Sequence, residues 1–255
     1  MAEGGDWQER FSRQIVLPQL GEDGQLALGK AKVVIVGAGG LGSTSAETLV
    51  RMGLGHVRVI DPDVVELSNL HRVRAYGDSD VGRPKVQVLA ERLTGLIEGA
   101  TIEPVRQRLV PGNALELLSG ADVILDGLDN MEDRYLVNDT CLELDLPWVY
   151  GGVVATGGLV AQFMPGGPCL RCLFPEPPAE GALPTTATAG IHPSLPALVS
   201  SVQVAQASRI VLGQEESASL LAMDMWSDDW RVVDLSRRQD CPACVGGRRD
   251  FLKGV

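Results

Sequence analysis

The stretch Gly37-Ala38-Gly39-Gly40-Leu41-Gly42 follows the apolar run Val33-Val34-Ile35-Val36 and opens a segment with the pattern of a helix, residues 41–52. A strand, a glycine turn and a helix in this order allow the backbone to approach a phosphate closely. The free N–H groups and the positive end of the helix then hold the phosphate. The stretch therefore predicts a nucleotide site, and its candidate binding glycines are Gly37, Gly39, Gly40 and Gly42.

The glycine pattern alone does not decide which nucleotide is bound. Asp61 follows the next apolar strand, residues 56–60, at about the distance expected of an acid that binds the ribose of a dinucleotide. ATP and NAD both remain open at this point. A tight turn with a purely structural role is the third interpretation.

The composition excludes several functional classes. The chain has 255 residues, of which 45% are hydrophobic, and a formal net charge of -11. This acidity argues against a nucleic-acid surface, because phosphates attract clustered Lys and Arg. No run approaches the roughly 20 apolar residues of a membrane span, and the N-terminus lacks the pattern of a signal peptide. We therefore expect a cytoplasmic protein with neither a nucleic-acid nor a membrane partner.

Strand and helix patterns alternate as far as Tyr150 and then give way to a β-rich half. This order predicts an α/β fold with a Rossmann-like, doubly wound, mostly parallel sheet. We expect a single domain, 1–255, with an N-terminal arm 1–31, a nucleotide-binding half 32–150 and a partner-binding half 151–255 that contains a long crossing loop, 176–196. The arm could cover a site on its own chain or on a partner subunit, or its arginines could be ordinary surface charges.

Individual elements follow from the spacing of apolar residues. The predicted helices after the glycine stretch are 85–97, 114–118, 131–144 and 197–212, and a shorter one in the arm is 23–28. The predicted strands after residue 60 are 101–105, 122–126, 147–150, 157–163, 220–225 and 230–235.

Four of the five cysteines form two CxxC pairs, Cys169/Cys172 and Cys241/Cys244. Each pair can place two thiolates on one side of a tight turn, and four sulfur ligands suit tetrahedral zinc. A site with no open position is structural, so we expect zinc to tie the C-terminal tail to the β-rich half. A redox pair is the weaker alternative. Cys141 lies in a helical run and is predicted to be a core residue.

The polar connection after Asp61 favours ATP over NAD. It adds phosphate- and ribose-type ligands within a short span, which suits a triphosphate. Asp129 follows the predicted strand 122–126, where a carboxylate can hold the magnesium ion that polarises an α-phosphate. Individually, each charge could also be an ordinary solvated side chain. The added residues are Asp63, Asn69, Arg72, Arg83 and Lys85.

The motifs taken together, in this order over nearly the whole chain, resemble the ThiF/MoeB/HesA family, relatives of the ubiquitin-activating enzymes, and most closely its MoeB-type members. A lone glycine loop would not identify the family, whereas this series does. The motifs are Arg10-Phe11-Ser12-Arg13-Gln14, the Gly37–Gly42 loop, Asp61, Ser68-Asn69-Leu70-His71-Arg72, Gly82-Arg83-Pro84-Lys85, Leu128-Asp129-Asn130 with Arg134 and Asn138, and the two cysteine pairs.

The resemblance implies an ATP-dependent adenylyltransferase. Its substrate would be the C-terminal glycine carboxylate of a small ubiquitin-like sulfur carrier of the MoaD/ThiS kind with a diglycine tail, and pyrophosphate would be released. By the same resemblance, Arg13 would reach the phosphates of the neighbouring subunit in a homodimer, and Asp129 would bind Mg²⁺. The residues implied to contact ATP are Gly40, Asp61, Asn69, Arg72 and Lys85, with Asn130 beside Asp129; the implied catalytic set is Arg13, Arg72, Lys85 and Asp129.

The chain departs from the family pattern in the crossing loop. Many relatives have a cysteine there that carries the partner as a thioester or persulfide, whereas this chain has Thr186 or a neighbour. Threonine cannot form such a labile sulfur bond, so we expect adenylation without covalent transfer. Val73 stands where relatives often have Gln, at the edge of the ATP motif. The chain ends at Val255 without a rhodanese domain, so we expect sulfur to come from a separate sulfurtransferase.

Several alternatives stay open from the sequence. The chain could activate a protein for a ubiquitin-like conjugation pathway, or it could bind a ubiquitin-like partner without catalysis. An NAD-dependent oxidoreductase is a further alternative. The sequence does not name the carrier, so thiamine and molybdopterin biosynthesis are both compatible with it.

Overall fold

A computed structural model describes residues 5–179, 181–214 and 218–253. The helices are α1 Gly5–Ile15, α2 Gly21–Leu28, α3 Gly40–Arg51, α4 Lys85–Leu93, α5 Ala114–Leu118, α6 Met131–Leu144, α7 Leu170–Leu173, α8 Thr186–Ala189, α9 Leu195–Val211 and α10 Asp250–Lys253. The strands are β1 Lys32–Val36, β2 His56–Ile60, β3 Thr101–Val105, β4 Val123–Asp126, β5 Trp148–Val154, β6 Gly157–Phe163, β7 Ser219–Asp224 and β8 Asp229–Asp234.

All eight strands form one sheet in the order β3-β2-β1-β4-β5-β6-β7-β8. Strands β1 to β5 pair in parallel, and the remaining pairs, from β5/β6 to β7/β8, are antiparallel. The predicted doubly wound, mostly parallel sheet with a β-rich C-terminal half is confirmed. The chain runs outward from β1 in both directions, so a crevice opens at the carboxyl ends of β1 and β4.

Helices cover both faces of the parallel part of the sheet, which explains why its strands are apolar throughout. Val33 and Ile35 of β1 pack into the core cluster that includes α3, α4 and α9. Val34 and Val36 pack into the opposite cluster, with α5 and α6. Because alternate residues of a strand point to opposite faces, both sets must be hydrophobic.

The N-terminal arm consists of two helices, of which the sequence predicted only the second. Helix α1 buries Phe11, and its apolar residues Trp7, Phe11 and Ile15 recur at every fourth position, so a helical signal was present in this stretch. Gln14 and Gln25 both donate to the carbonyl oxygen of Met52, at the C-terminal end of α3. The twelve residues of α3 span about 18 Å, so the arm is anchored at the end of α3 opposite to its own glycine loop. This placement argues against the interpretation that the arm covers the nucleotide site of its own chain.

The crossing loop contains local structure that the sequence did not predict. It contains the short helix α8, and α9 begins at Leu195 because Pro196 is accommodated in the first helical turn. Glu180, within the predicted loop, lies outside the described residues. The predicted helix 85–97 ends at Leu93, since Thr94 is extended and Gly95 has a φ of +84°. None of the helices described is long and apolar enough to span a membrane.

Candidate functional site

A cavity of about 450 Å³ lies at the carboxyl ends of the central strands. All of the cofactor-binding candidates line it except Gly42 and Arg83, whose guanidinium pairs with Asp80 and Glu91. Arg13, the candidate from the N-terminal arm, does not line it, and its side chain is exposed. The predicted residues at the cavity are Gly37, Gly39, Gly40, Asp61, Asp63, Asn69, Arg72, Lys85, Asp129 and Asn130.

The glycines of the loop serve two different purposes. Gly37 has a φ of +104°, and a Cβ there would collide with the carbonyl oxygen of Gly127 after β4. A Cβ at Gly42 would collide with the carbonyl oxygen of Gly37, so Gly42 allows close packing of α3 and does not face the cavity. A Cβ at Gly39 would meet nothing within 4 Å. The space beside Gly39, at the N-terminus of α3, fits a phosphate.

Asp61, which follows β2, supports the glycine loop from the other side. Its Oδ2 accepts a hydrogen bond from the N–H of Ala38 (2.6 Å) and its Oδ1 from the N–H of Asp63 (2.8 Å). Burial raises the pKa of Asp61, and the charge of Lys85 opposes that rise. The predicted ribose-binding acid is therefore also the brace that fixes the loop beside it.

Two cationic side chains of the cavity come from the segment between β2 and the first residue of α4. The Nζ of Lys85 lies 2.9 Å from Oδ2 of Asp63, and the Lys85 side chain is only 12% exposed. Arg72 donates from Nη1 to the carbonyl oxygen of Ser68 (2.9 Å), which orients its guanidinium. Asn69 accepts from the N–H of Glu66 and so caps the short 3₁₀ turn that precedes Arg72.

Tyr76 is a supporting residue that the sequence did not identify. Its buried hydroxyl donates to the carbonyl oxygen of Ala38 (2.7 Å) and lies 3.3 Å from that of Lys85. It thus joins the glycine loop to the start of α4. Burial raises the pKa of Tyr76, which remains a neutral donor. A lone aromatic residue in a polar connection gives no sequence signal for this role.

Asp129 stands at the turn between β4 and α6, exposed to the cavity. Within the described ranges its carboxylate has no hydrogen-bond donor and no ion-pair partner, so its oxygens can accept a cation. The turn itself is held from below, where Arg134 donates to the carbonyl oxygens of Leu128 and Gly151 (2.7 Å each). Arg134 also donates from Nε to Oδ2 of the fully buried Asp126 (2.8 Å).

Asn130 caps α6, since its Oδ1 accepts from the N–H of Asp133 and its Nδ2 donates to that carboxylate. The Asp133 carboxylate in turn pairs with Arg108, which lies beyond the end of β3 (3.1 Å). Asp133 and Arg108 both line the cavity. The sequence did not identify either one, because the loops that carry them meet only in the folded chain.

The crossing loop contributes Thr186 and Ile191 to the cavity wall. Ile191 forms a bridge with Ala155, after β5, and this pairing brings the loop over the ends of the strands. Thr186 begins α8 and has Thr185 as its N-cap. The loop therefore places a threonine hydroxyl, and no thiol, at the cavity.

The two cysteine pairs meet away from the cavity. Their four Sγ atoms lie within 4.8 Å of one another, with 3.6 Å between Cys169 and Cys241 and 3.5 Å between Cys172 and Cys244. Tetrahedral zinc with Zn–S bonds of about 2.3 Å requires sulfur atoms about 3.8 Å apart, whereas a disulfide needs about 2.05 Å. The cluster fits zinc, and the prediction of a zinc-capable tie is confirmed.

The fifth cysteine, Cys141, is 2% exposed within α6. Burial raises its pKa far above that of a reactive thiol. This buried position agrees with the prediction that Cys141 is a core residue.

Comparisons with known proteins agree with this geometry. The sequence model described as the ThiF family matches residues 11–243. The chain is 38% identical to the SAMP-activating enzyme E1 of Haloferax volcanii over 97% of this chain and 92% of that protein. It is 43% identical to the sulfur carrier protein adenylyltransferase of Thermus thermophilus, over 92% and 90% of the two chains. The crystal structure of E. coli MccB with ATP superimposes with a TM-score of 0.79 at 20% identity, over 93% of this chain and 74% of that one, which shows a shared fold.

Proposed function

Because the chain belongs to the ThiF family, we propose that it is an adenylyltransferase that activates the C-terminal glycine of a small ubiquitin-like sulfur carrier with ATP. A relative that is 43% identical is named a sulfur carrier protein adenylyltransferase and matches along nearly its whole length. The proposed substrate is therefore inferred from similarity to this relative. The proposal also requires a site that can carry out the reaction.

One observation carries the proposal. A single cavity brings together an open glycine turn at a helix N-terminus, the cations of Arg72 and Lys85, and the Asp129 carboxylate, which has no partner among the described residues. Gly39 leaves room for a phosphate, and Arg72 and Lys85 supply positive charge to its oxygens. Asp129 is free to bind Mg²⁺, a hard cation that prefers oxygen ligands. A dinucleotide oxidoreductase has no need of this combination.

The reaction follows from positioning and charge. An oxygen of the carrier carboxylate attacks the α-phosphorus of ATP, an O–P bond forms, and the bond from phosphorus to the bridging oxygen breaks. Pyrophosphate leaves with that electron pair, and no proton is transferred. Arg72 and Lys85 stabilise the charge that develops on the phosphate oxygens, so no general base is required. Magnesium would supply further charge neutralisation from Asp129.

The zinc would have a structural role. The four sulfurs occupy all positions of a tetrahedral site, and none of these cysteines lines the cavity. The cluster joins α7, which precedes the crossing loop, to the tail that precedes α10. The expected contribution of the zinc is therefore to stabilise the fold of the partner-binding half.

We expect no thioester on this chain. The sequence has five cysteines, of which four form the cluster and the fifth, Cys141, is buried. Thr186 occupies the cavity wall in the crossing loop, and a threonine ester is far less labile than a thioester. The activated carrier would then be released as the acyl-adenylate to a separate sulfurtransferase.

A conjugation role is the second candidate, favoured by the name of the Haloferax volcanii relative, SAMP-activating enzyme E1. The adenylation step would be the same and only the fate of the acyl-adenylate would differ.

We further propose a cytoplasmic homodimer in which Arg13 of one subunit reaches the cavity of the other. The exposed position of Arg13, away from its own cavity, supports a role across subunits.

Carrier-dependent exchange of labelled pyrophosphate into ATP tests the proposal. We expect exchange with a diglycine-ended carrier and none when the final glycine is removed. Lys85→Ala should abolish the exchange, and Lys30→Ala, an exposed lysine just before β1 at the opposite end of the sheet, is the matched control. Partner binding with no exchange in the wild type would favour a scaffold, whereas exchange that persists in Lys85→Ala would show that Lys85 does not carry the reaction.

A further inference from the structure

An ion pair at the rim of the cavity has no part in the chemistry described above. Arg108 lies three residues beyond β3, and Asp133 lies in the first turn of α6. The Nη2 atom of Arg108 donates to both carboxylate oxygens of Asp133, at 3.2 and 3.1 Å. The pair bridges two loops that follow different strands and closes one side of the cavity.

Neighbouring amide side chains hold the backbone of Arg108 and the carboxylate of Asp133. Asn113 donates from Nδ2 to the carbonyl oxygen of Arg108 (3.0 Å), and its Oδ1 accepts from the N–H of Val110. Asn130 donates from Nδ2 to Oδ2 of Asp133 (3.0 Å). The pair is therefore preorganised before any ligand binds.

The strand order indicates which part of ATP meets this rim. The phosphates belong at the glycine loop after β1, and Asp61 after β2 is the acid placed for the ribose. Because β3 is the next strand in the sheet, the base must extend toward the loop after β3. There the cavity has an apolar floor of Val36, Ile60 and Leu109, which suits a flat aromatic ring.

We propose that Arg108 binds the nucleobase by packing its guanidinium against the ring face, and that Asp133 is the positioning residue that holds the guanidinium there; this inference rests on the proposed adenylation function. The planar guanidinium stacks well on aromatic rings, which a lysine ammonium cannot do. Its contact with Asp133 uses Nη2 alone. In the described part of the chain, Nε and Nη1 have no protein acceptor.

The pair adds little to folding stability. The Arg108 side chain is 62% exposed, and exposed ion pairs contribute little because water screens them. Variants at Arg108 and Asp133 should therefore remain folded, so a change in nucleotide binding can be attributed to the site.

Steady-state kinetics with saturating carrier test the proposal. Arg108→Ala should raise KM for ATP by about threefold to thirtyfold, the range expected for loss of a cation–π contact, and leave kcat within about twofold. Arg108→Lys should restore KM only in part, because an ammonium still attracts the face of the ring but cannot stack on it, and Asp133→Asn should give a smaller rise than Arg108→Ala. Arg106→Ala is the matched control, because Arg106 is exposed and does not line the cavity.

Binding of nucleotide fragments separates this role from phosphate binding. Calorimetry should show weaker adenosine binding in Arg108→Ala and unchanged pyrophosphate binding. Weaker pyrophosphate binding with unchanged adenosine binding, full rescue by Arg108→Lys, or no change in either ligand would overturn the proposal. Adenosine binding needs no carrier, so it decides this proposal even if wild-type exchange fails, a result that would count against the proposed function alone.

Discussion

The Oδ2 atom of Asp126 lies 2.8 Å from Nε of Arg134 in a fully buried ion pair beneath the candidate magnesium ligand. Burial raises the pKa of Asp126, while the charge of Arg134 and the N–H groups of Leu128 and Gly151 oppose that rise. The Arg134 guanidinium also lies over the ring of Tyr150, 4.9 Å from its centroid. The turn that carries Asp129 is thus fixed from inside the core.

Asp126→Asn should lower the free energy of unfolding by about 3–5 kcal/mol, because it leaves the Arg134 charge buried without its partner. Denaturant unfolding measures this. The control is Glu47→Gln, which breaks the exposed pair with Arg51 and should cost no more than about 0.5 kcal/mol. A loss in Asp126→Asn as small as that of the control would contradict the account.

Metal analysis should find about one zinc per chain, as a closed four-thiolate site requires. Cys241→Ser should lose the metal, since Cys241 supplies one of the four ligands. Cys141→Ala should keep the metal, although it leaves a small cavity in the core. Equal zinc content in both variants would rule out the cluster as the zinc site.

Asp129→Asn should raise the Mg²⁺ concentration needed for half-maximal exchange by at least about tenfold, because a neutral amide is a poorer ligand for a hard cation. A magnesium titration of the exchange rate measures the shift. Asp23→Asn, an exposed change in α2, should leave the titration unchanged. If Asp129→Asn titrates like wild type, Mg²⁺ must be held by other groups.

Thr186→Ala should keep pyrophosphate exchange within about twofold of wild type, since the proposed reaction uses no nucleophile from the chain. Gel electrophoresis without reductant should show no adduct with the carrier. Thr188→Ala separates loop geometry from cavity chemistry, because Thr188 bonds to Thr185 within the loop. An adduct that a thiol reductant removes would contradict this prediction.

Arg13→Ala and Asp129→Ala should each abolish exchange, yet a mixture of the two should recover activity if Arg13 acts across a homodimer. Random reassortment puts half of the dimers in the mixed form, each with one intact site, so about a quarter of wild-type activity is expected. A mixture of Lys85→Ala and Asp129→Ala is the control, because every mixed dimer then has one defect in each site. Equal recovery in both mixtures, or none in either, would exclude the role across subunits.

The sequence by itself predicted the sheet and most of the cavity. Apolar strands alternate with helical patterns, and the glycine stretch after Val36 is typical of a turn that approaches a phosphate. Residues such as Asp61 and Asp129 come directly after predicted strands, and the carboxyl ends of parallel strands meet at one edge. Local patterns therefore sufficed to bring these side chains together, and the paired cysteines carried their own spacing signal.

Only the tertiary structure decided the roles that depend on contacts between distant segments. Tyr76 meets Ala38 across 38 positions, and Arg108 meets Asp133 across 25, so neither pairing leaves a periodic trace in the chain. Gly42 belongs to the binding motif by sequence but serves helix packing, because the Gly37 carbonyl lies against it. Arg13 was separated from its own cavity by the anchoring of the arm to Met52. The spacing of residues in the sequence determines which side chains are neighbours on one strand or helix. Contacts between loops depend instead on how the whole core packs.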